Sequence, residues 1–394
     1  MKKQELLAPA GDFECLRAAI NAGCDALYFG LREFNMRARA NNFKISELKK
    51  IKSICKENKK KEIKRYLTLN TIIYDNELKK LEQIIKKVKP FVNAVICSDI
   101  SIMILCKKHK LPFHVSTQCS ISNIETAKFY KKLGAERIVL ARELNLSQIK
   151  KISKVIPTEI FIHGAMCASV SGRCFLSQNM FNQSANRGLC IQPCRRSYKV
   201  TDSEGNELSV NNNYIFSAKD LCTLPFFEKL KNSGAVAFKI EGRNREPEYI
   251  DTVVSIYRKA IDKKLTKNEI EKSLEKLNEV FNKGFSPGFY LGMPTSDDFS
   301  KIESSNATKT KQFIGKIIHY YDKLGVGLLK LNTGKLSIGD EIIILGKTTG
   351  IVKSKVETME IEYKPISQAV KGQIIGIKLP HCRKNDDLYL VIKK

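Results

Sequence analysis

The sequence is organised around residues 159–196, which read EIFIHGAMCASVSGRCFLSQNMFNQSANRGLCIQPCRR. An apolar, strand-like opening runs into four cysteines, Cys167, Cys174, Cys190 and Cys194, with the spacing C-x6-C-x15-C-x3-C. Small and polar residues stand between them where a packed core would need Leu or Ile. The pattern therefore predicts a loop folded around a metal centre. Four thiolates suit structural zinc, and they also suit an iron–sulfur cluster.

The spacing of the cysteines bears on which metal they bind. Zinc ribbons and fingers usually carry two tight C-x2-C pairs, and neither pair here is that tight. The wide spacing favours a cluster but leaves zinc open, and buried or redox-active thiols are a further alternative. The chain has 12 cysteines in all, and the other eight stand singly on apolar faces or near element ends. A free cysteine in such a position behaves as a small hydrophobic residue.

The composition indicates a globular protein with a polyanionic partner. The chain has 394 residues, of which 43% are hydrophobic, and its 68 Lys and Arg outnumber 41 Asp and Glu to give a formal charge of +27. Such an excess favours nucleic acid, although a generally solvated basic surface is the alternative. We find no signal peptide and no apolar run long enough to span a membrane, so we expect a cytoplasmic protein without a membrane partner and with reduced thiols.

Hydrophobic periodicity predicts an α/β fold. Eight short apolar strands alternate with amphipathic helices, at residues 5–9, 26–30, 66–70, 94–98, 113–117, 137–142, 159–163 and 237–241. This alternation favours a TIM-like (β/α)8 barrel over an open sheet. We place the barrel at residues 1–294, with the cysteine loop at about 164–200 after the seventh strand, a polar linker at 295–311, and a small closed β-barrel at 312–394.

The ends of the predicted strands carry the candidate site residues. The carboxyl ends of barrel strands form the active-site face, and the cysteine loop would border the same face. Arg37 and Arg39 follow the second strand, and their planar guanidinium groups suit an anionic small molecule or an RNA backbone. An incidental surface charge is the alternative. His163, at the end of the seventh strand, is suited to proton transfer, or it is a packed histidine.

Several segments carry a resemblance to a known family. Residues 159–177 closely resemble the signature of the peptidase U32 family, and so do ELLAPAG at 5–11, ALYFG at 26–30, SAKDL at 217–221 and KIEGR at 239–243. The tail from residue 313 resembles the β-barrel that translation elongation factors use as their second domain. This combination is similar to the branch of the family that hydroxylates the wobble uridine of tRNA to 5-hydroxyuridine.

The resemblance implies an oxygen-independent RNA hydroxylase acting on tRNA. It implies a [4Fe-4S] cluster on Cys167, Cys174, Cys190 and Cys194, and prephenate as the anionic donor of the hydroxyl group. The family's motif segments contain the remaining candidates, whose individual roles are our inference. We assign His163, Lys239 and Glu241 to catalysis, and Arg37, Arg39, Gln118, Arg142 and Arg243 to substrate binding. The sequence does not indicate an electron donor or a partner protein.

Two other functions remain open. The family's name implies a peptidase or collagenase-like protease, yet the chain has no H-E-x-x-H and no G-x-S-x-G motif. The third possibility is a non-catalytic RNA-binding factor whose cysteine loop is stiffened by zinc.

Overall fold

The barrel strands lie where the sequence predicts them. The computed structural model describes residues 4–57, 62–199, 201–207, 216–302 and 304–394, so residue 200, at the end of the predicted cysteine loop, and residue 303, within the predicted linker, lie outside the described residues. The first nine strands are β1 Glu5–Pro9, β2 Ala26–Gly30, β3 Lys64–Leu69, β4 Ala94–Cys97, β5 Phe113–Val115, β6 Arg137–Val139, β7 Thr158–Gly164, β8 Asp220–Cys222 and β9 Ala237–Ile240.

Eight of these strands close into a parallel barrel. Neighbours pair in sequence from β1 to β7, and β9 pairs in parallel with both β7 and β1, which closes the ring. The strand β8 lies outside the ring, antiparallel to the end of β7, and pairs with β10 at Phe285–Ser286. The predicted TIM-like barrel is therefore confirmed.

The helices are α1 Phe13–Asn21, α2 Leu48–Lys56, α3 Leu78–Val88, α4 Ile100–Lys108, α5 Ile124–Leu133, α6 Leu146–Ile152, α7 Leu176–Phe181, α8 Phe227–Lys231, α9 Pro247–Asp262 and α10 Lys267–Glu279. All of these except α7, which belongs to the cysteine loop, bury apolar residues in the same core as the barrel strands. Single 3-10 turns occupy Ile45–Glu47, Asp75–Glu77, Thr117–Cys119, Ala185–Arg187, Pro193–Arg195, Leu224–Phe226 and Ser296–Asp298. A capping box of Thr266 and Glu269 opens α10, as the T-x-x-E spacing of the sequence allows. Among the described residues, no helix is both long and apolar enough to cross a membrane.

The inside of the barrel contains a chain of buried ion pairs. The guanidinium of Arg137 on β6 donates to Glu5 on β1 at 2.6 Å and to Glu159 on β7 at 3.2 Å. The ammonium of Lys239 on β9 donates to the other oxygen of Glu159 at 3.1 Å, and Tyr66 donates to Glu5 at 2.9 Å. Because each carboxylate has a cationic partner, the cost of burying these charges is offset.

The C-terminal segment forms antiparallel β-structure with its own core. Its strands are β11 Lys309–Tyr321, β12 Val326–Leu331, β13 Lys335–Ser337, β14 Glu341–Gly346, β15 Gly350–Lys355, β16 Met359–Ile361, β17 Lys364–Pro365, β18 Gln368–Val370, β19 Ile374–Lys378 and β20 Asp387–Lys393. Eight of them form one sheet in the order β15-β14-β20-β11-β12-β19-β16-β17, and β13 pairs with β18. Among the described residues, no pairing joins the edge strands β15 and β17 into the closed barrel that the sequence predicted.

The C-terminal sheet packs against the outside of the barrel. Ile343 and Ile351 belong to the same hydrophobic core as the barrel helices. The ammonium of Lys353 lies 2.7 Å from a carboxylate oxygen of Asp251 on α9, and Arg17 on α1 donates to the carbonyl of Lys347 at 3.1 Å. These contacts hold the sheet beside the first and ninth helices.

The segment predicted as a linker is partly ordered against the barrel. The backbone of Lys219 donates to Asp298 at 2.9 Å, and the backbone of Ser300 donates to Ser217 at 2.6 Å. Ser286 also donates to the carboxylate of Asp298 at 2.6 Å. These hydrogen bonds join residues far apart in the chain, so local composition gave no sign of them.

We expect Gly164 to be essential for the end of β7. Its φ is +109°, and a Cβ there would lie 2.5 Å from the carbonyl oxygen of Glu241. Gly134 has a similar φ of +103° with nothing within 4 Å, so Gly134→Ala is a matched control for backbone strain alone. Gly164→Ala should lower the free energy of unfolding by about 1–3 kcal/mol more than Gly134→Ala, measured by urea denaturation. Equal losses would contradict the close approach of the two strands.

Candidate active site

A small cavity lies at the carboxyl ends of the barrel strands. Its volume is about 70 Å³. The predicted residues that line it are Arg37, Gln118, Arg142, Lys239, Glu241, Arg243 and Cys167. The cavity therefore brings together candidates from four strand ends and from the cysteine loop, although they are spread over more than 200 residues of sequence.

Glu241 is the one carboxylate at the centre of this cavity's charges. It accepts hydrogen bonds from Arg37 at 3.0 and 3.2 Å, and Arg142 lies 3.8 Å away. Burial acts to raise the pKa of Glu241, but the neighbouring guanidinium groups of Arg37, Arg142 and Arg243 outweigh it and lower the pKa to about 2. Glu241 is therefore ionised at neutral pH and orients the two arginines.

Two further cations lie deeper in the cavity. Arg243 donates to Asn35 at 3.1 Å and to Thr68 at 2.9 Å, and burial lowers its pKa to about 10. Lys239 lies 4.2 Å from the centre of the Tyr28 ring, and burial lowers its pKa even though Glu159 acts in the opposite direction. Both side chains are buried and aimed into the barrel mouth by their partners.

Cations outnumber carboxylates in the lining of the cavity. Four cations, Arg37, Arg142, Lys239 and Arg243, line it together with one carboxylate, Glu241, and among the described residues Arg243 has no carboxylate partner. In addition, the buried Nε atoms of Arg142 and Arg243 have no hydrogen-bond partner among the described residues. Buried donors are normally satisfied, so these groups favour an acidic ligand.

Gln118 forms the side of the cavity next to the cysteine loop. It exchanges hydrogen bonds with Asn70, donating to the Asn70 carbonyl at 2.7 Å and accepting from its amide at 2.8 Å. A Cβ on Gly172 of the loop would lie 2.7 Å from Nε2 of Gln118. Only glycine lets the loop approach the barrel this closely, and its φ of +75° suits glycine as well.

The four clustered thiols lie within electrostatic range of one another. Burial is the largest cause that raises the pKa of Cys194, and the thiols of Cys167, Cys190 and Cys174 raise it further. All twelve cysteines are free thiols. Among the residues that the structure describes, however, no group of three or more His, Cys, Asp or Glu side chains is arranged to hold a metal ion. Metal ligation by the four cysteines stays a prediction.

The surroundings of the thiols contain both opposing and favourable influences on a thiolate. Burial raises the pKa of Cys190 and of Cys194, and the positive charges of Arg37 and Arg195 oppose this rise without reversing it. The backbone N–H of Gln192 donates to the sulfur of Cys190 at 3.4 Å. Hydrogen bonds to sulfur and nearby cations are the means by which proteins stabilise iron–sulfur clusters. The chemistry of the donor set and its neighbours therefore suits such a cluster, although the described thiols are not gathered around one point.

Two arginines that the sequence did not single out fasten the cysteine loop to the barrel. Arg195 donates to the carbonyl of Met166 at 2.5 Å and to the carbonyl of Ala218. Arg187 forms a bidentate pair with Glu77, with distances of 2.5 and 3.0 Å. The sequence did contain a signal for these contacts, because residues 165–199 include no Asp or Glu. Carboxylate partners for the arginines of this segment can therefore come only from other segments.

His163 and Arg39 do not line the cavity. His163 is buried against helix α9, where its Nδ1 lies 3.3 Å from the hydroxyl of Tyr257, and burial lowers its pKa to about 3. Phe161 lines the cavity, and regular alternation along β7 would point His163, two residues further on, in the same direction. The β7–β9 pairing shifts register between these two residues, and this interruption turns His163 outward. Arg39 is exposed. This placement gives no support to the roles predicted for the two residues.

Sequence comparisons place the chain among proteins of two kinds. The profile of peptidase family U32 matches residues 11–300. A collagenase of Porphyromonas gingivalis is 42% identical over 99% of this chain and 98% of its own length. The tRNA hydroxylation protein P1 of Bacillus subtilis is 37% identical over 66% of this chain and 64% of its own. The 23S rRNA 5-hydroxycytidine C2501 synthase of Escherichia coli is 38% identical over 66% of this chain and 39% of its own.

The buried state of His163 predicts a specific pH dependence of stability. Its pKa is about 3 in the folded chain and about 6.5 in an unfolded one, so the unfolded state takes up a proton first as the pH falls. The stability contributed by neutral His163 is complete above pH ~6.5 and declines below it, by about 2 kcal/mol at pH ~5. His163→Phe should remove this loss of stability, as measured by urea denaturation just above pH ~6.5 and at pH ~5. An unchanged pH dependence would contradict the burial.

Proposed function

Because this chain belongs to peptidase family U32, we propose that it hydroxylates RNA, converting the wobble uridine of a tRNA to 5-hydroxyuridine. The observation that carries the proposal is the cation-rich cavity directly beneath the loop with four free cysteines. The names of the B. subtilis and E. coli relatives point in the same direction, because both describe hydroxylation of RNA bases.

In this proposal the four cysteines hold a [4Fe-4S] cluster beside the cavity. Replacing a C–H bond of the base by C–OH with a hydroxide-level oxygen releases one proton and two electrons, and a cluster held here would pass these electrons one at a time to an external electron acceptor. Cys167 itself lines the cavity, so the loop borders the place where the base would react. Arg37 and Arg195 offset the negative charge of the thiolates.

The unpaired positive charge supports an anionic hydroxyl donor, and prephenate fits by its chemistry. Prephenate carries two carboxylates, and the four cations that line the cavity share one lining carboxylate, Glu241. The free Nε atoms of Arg142 and Arg243 supply two donors for such an acid. The cavity of about 70 Å³ is smaller than the ~300 Å³ or more of typical ligand pockets, so the loop segment at 167–172 must move outward to admit donor and base.

Two of the predicted catalytic residues keep roles that suit their positions. Lys239 holds a proton at the cavity surface, and its lowered pKa brings that proton closer to transfer at neutral pH. Glu241 stays ionised and holds Arg37 and Arg142, so its role is to position these cations. The high net charge of +27 supports RNA as the partner through neutralisation of phosphates.

Proteolysis is the second candidate, because the P. gingivalis relative is a collagenase and matches nearly the whole chain. Among the described residues, the ring contacts of the five histidines do not support a nucleophile–histidine pair. The rings of His109, His114 and His163 contact Glu82, Glu136 and Tyr257, and those of His319 and His381 contact Tyr321 and Asp322. None of these partners is a serine or cysteine nucleophile. Cleavage of collagen or a generic peptide by purified protein, abolished by substituting one named residue, would favour this candidate over hydroxylation.

The cluster can be tested with a matched pair of cysteine variants. Protein purified without air should be brown and contain about four irons per chain. Cys190→Ala should lose the visible absorption and most of the iron, whereas Cys119→Ala should keep both, since Cys119 lies at the barrel mouth outside the group of four. A colourless wild-type protein with one zinc would instead support a non-catalytic RNA-binding factor. Full iron in Cys190→Ala would show that the ligand set is wrong.

The reaction can be tested on RNA from cells. Mass spectrometry of tRNA nucleosides should show loss of 5-hydroxyuridine, or of nucleosides made from it, when the protein is absent. Wild-type protein should restore it, and Arg37→Met should not, because Glu241 and the anionic donor both lose their partner. Unchanged tRNA together with loss of a hydroxylated base in rRNA would move the substrate to rRNA. Unchanged nucleosides in both would refute the proposal.

A further inference from the structure

The cysteine loop has an unusual charge composition. Residues 165–199 contain five cations, Arg173, Arg187, Arg195, Arg196 and Lys199, and no Asp or Glu. Arg187 and Lys199 pair with Glu77 and Glu207, and Arg195 is engaged with backbone carbonyls. Arg173 and Arg196 remain exposed on the surface of the loop. The surface beside the cavity is therefore positive.

Exposed apolar side chains lie among these cations. Phe175 is 68% exposed and Met180 is 45% exposed, and both belong to the short segment around helix α7. Large apolar groups with this much exposure are costly in water and mark a contact surface when they lie together. We call Arg173, Phe175, Met180, Phe181, Arg196 and Tyr198 the α7 face.

Two contacts join members of the α7 face to each other. The guanidinium of Arg196 lies 4.6 Å from the centre of the Phe181 ring, and the hydroxyl of Tyr198 lies 3.7 Å from the sulfur of Met180. The same hydroxyl donates to the carbonyl of Pro193 at 2.7 Å. Aromatic rings interleaved with arginines, held by the loop rather than free, are suited to stacking on flat ligands.

The α7 face adjoins the cavity through the chain itself. Ser171 and Gly172 line the cavity, and Arg173 and Phe175 follow within three residues. Gly172 is held against Gln118, so this edge of the loop lies directly on the barrel mouth. Phe175 therefore lies three residues along the chain from the cavity lining.

We propose that the α7 face binds unpaired nucleobases of an RNA loop, stacking the neighbours of the base that enters the cavity. This proposal rests on the function proposed above and deepens it by assigning the residues that select single-stranded RNA. The bases of a duplex are stacked on each other and their faces are inaccessible, whereas the bases of a loop are free to stack on aromatic and arginine side chains. The charge of the loop favours RNA over an apolar protein partner, because every charged residue between 165 and 199 is a cation.

The test compares Phe175→Ala with Phe129→Ala. Phe129 lies on helix α5, is 56% exposed and belongs to neither the cavity nor the cysteine loop, so it controls for loss of a surface ring. Binding is measured by fluorescence anisotropy with a uridine-containing RNA hairpin and with a duplex that has the same stem and no loop. Iron content of each variant shows that the loop has kept its structure.

We expect Phe175→Ala to weaken hairpin binding about 10-fold and leave duplex binding unchanged, because one base loses its stacking partner. Phe129→Ala should change neither. Arg196→Gln should weaken both RNAs and lower the salt dependence of binding by about one ion, because a cation near the backbone is lost.

The outcomes separate this proposal from the function on which it rests. Equal hairpin affinity for Phe175→Ala, Phe129→Ala and wild type would overturn the assignment of the α7 face alone. A tenfold loss that is equal for hairpin and duplex would also overturn it, since stacking on unpaired bases would not be the cause. Wild-type protein that binds neither RNA would overturn the proposed function itself.

Discussion

The chain of ion pairs inside the barrel is the interaction on which the rest of the molecule depends. Glu5, Arg137, Glu159 and Lys239 come from β1, β6, β7 and β9, and β9 is the strand that closes the ring between β7 and β1. A buried charge without a partner would strongly destabilise the fold. The ion pairs therefore favour the arrangement in which these four strands are neighbours. This series of ion pairs ends at Lys239, which also lines the cavity. The pairing of β9 that closes the barrel therefore also places a cation in the candidate site.

Charge balance changes along the axis of the barrel. At the end where the strands begin, carboxylates and cations are matched. At the mouth, Glu241 is shared by Arg37 and Arg142, while Arg243 has only neutral partners in Asn35 and Thr68. A surplus of this kind destabilises an empty site and is relieved by an anion. The thiol of Cys190 lies within electrostatic range of Arg37. In the proposed function, the same positive charge would therefore stabilise both the thiolates and the anionic donor.

Glycine and arginine determine how the cysteine loop sits on the barrel. Gly172 and Gly188 allow contacts with Gln118 and with the backbone of Asn35 that any side chain would prevent. Arg187 and Arg195 then fasten the loop at two separate places. The loop buries little apolar surface, and several of its large apolar groups, such as Phe175, face outward. Its position therefore comes from close backbone contact and charge, which leaves its apolar groups available to a partner.

Local patterns in the sequence determined most of the fold. Alternation of buried strands with amphipathic helices predicted the eight barrel strands within a few residues, the capping box at Thr266 marked the start of α10, and the four cysteines stood out by their spacing. These signals are local, because strand burial, helix capping and cysteine clustering each depend on residues a few positions apart. Six of the eight predicted catalytic and substrate-binding residues also line the cavity, since strand ends in a barrel share one face.

Only the tertiary structure decided which side chains face the cavity and which partners they take. His163 follows the strand pattern of Phe161, yet the register shift beside β9 turns it toward Tyr257. The pairs Arg37–Glu241 and Arg187–Glu77 join residues 204 and 110 positions apart. Such contacts exist only once the ring has closed, because nothing along the chain brings the partners near each other. The excess of positive charge in the site therefore arises only when the barrel closes and brings cations from several segments together.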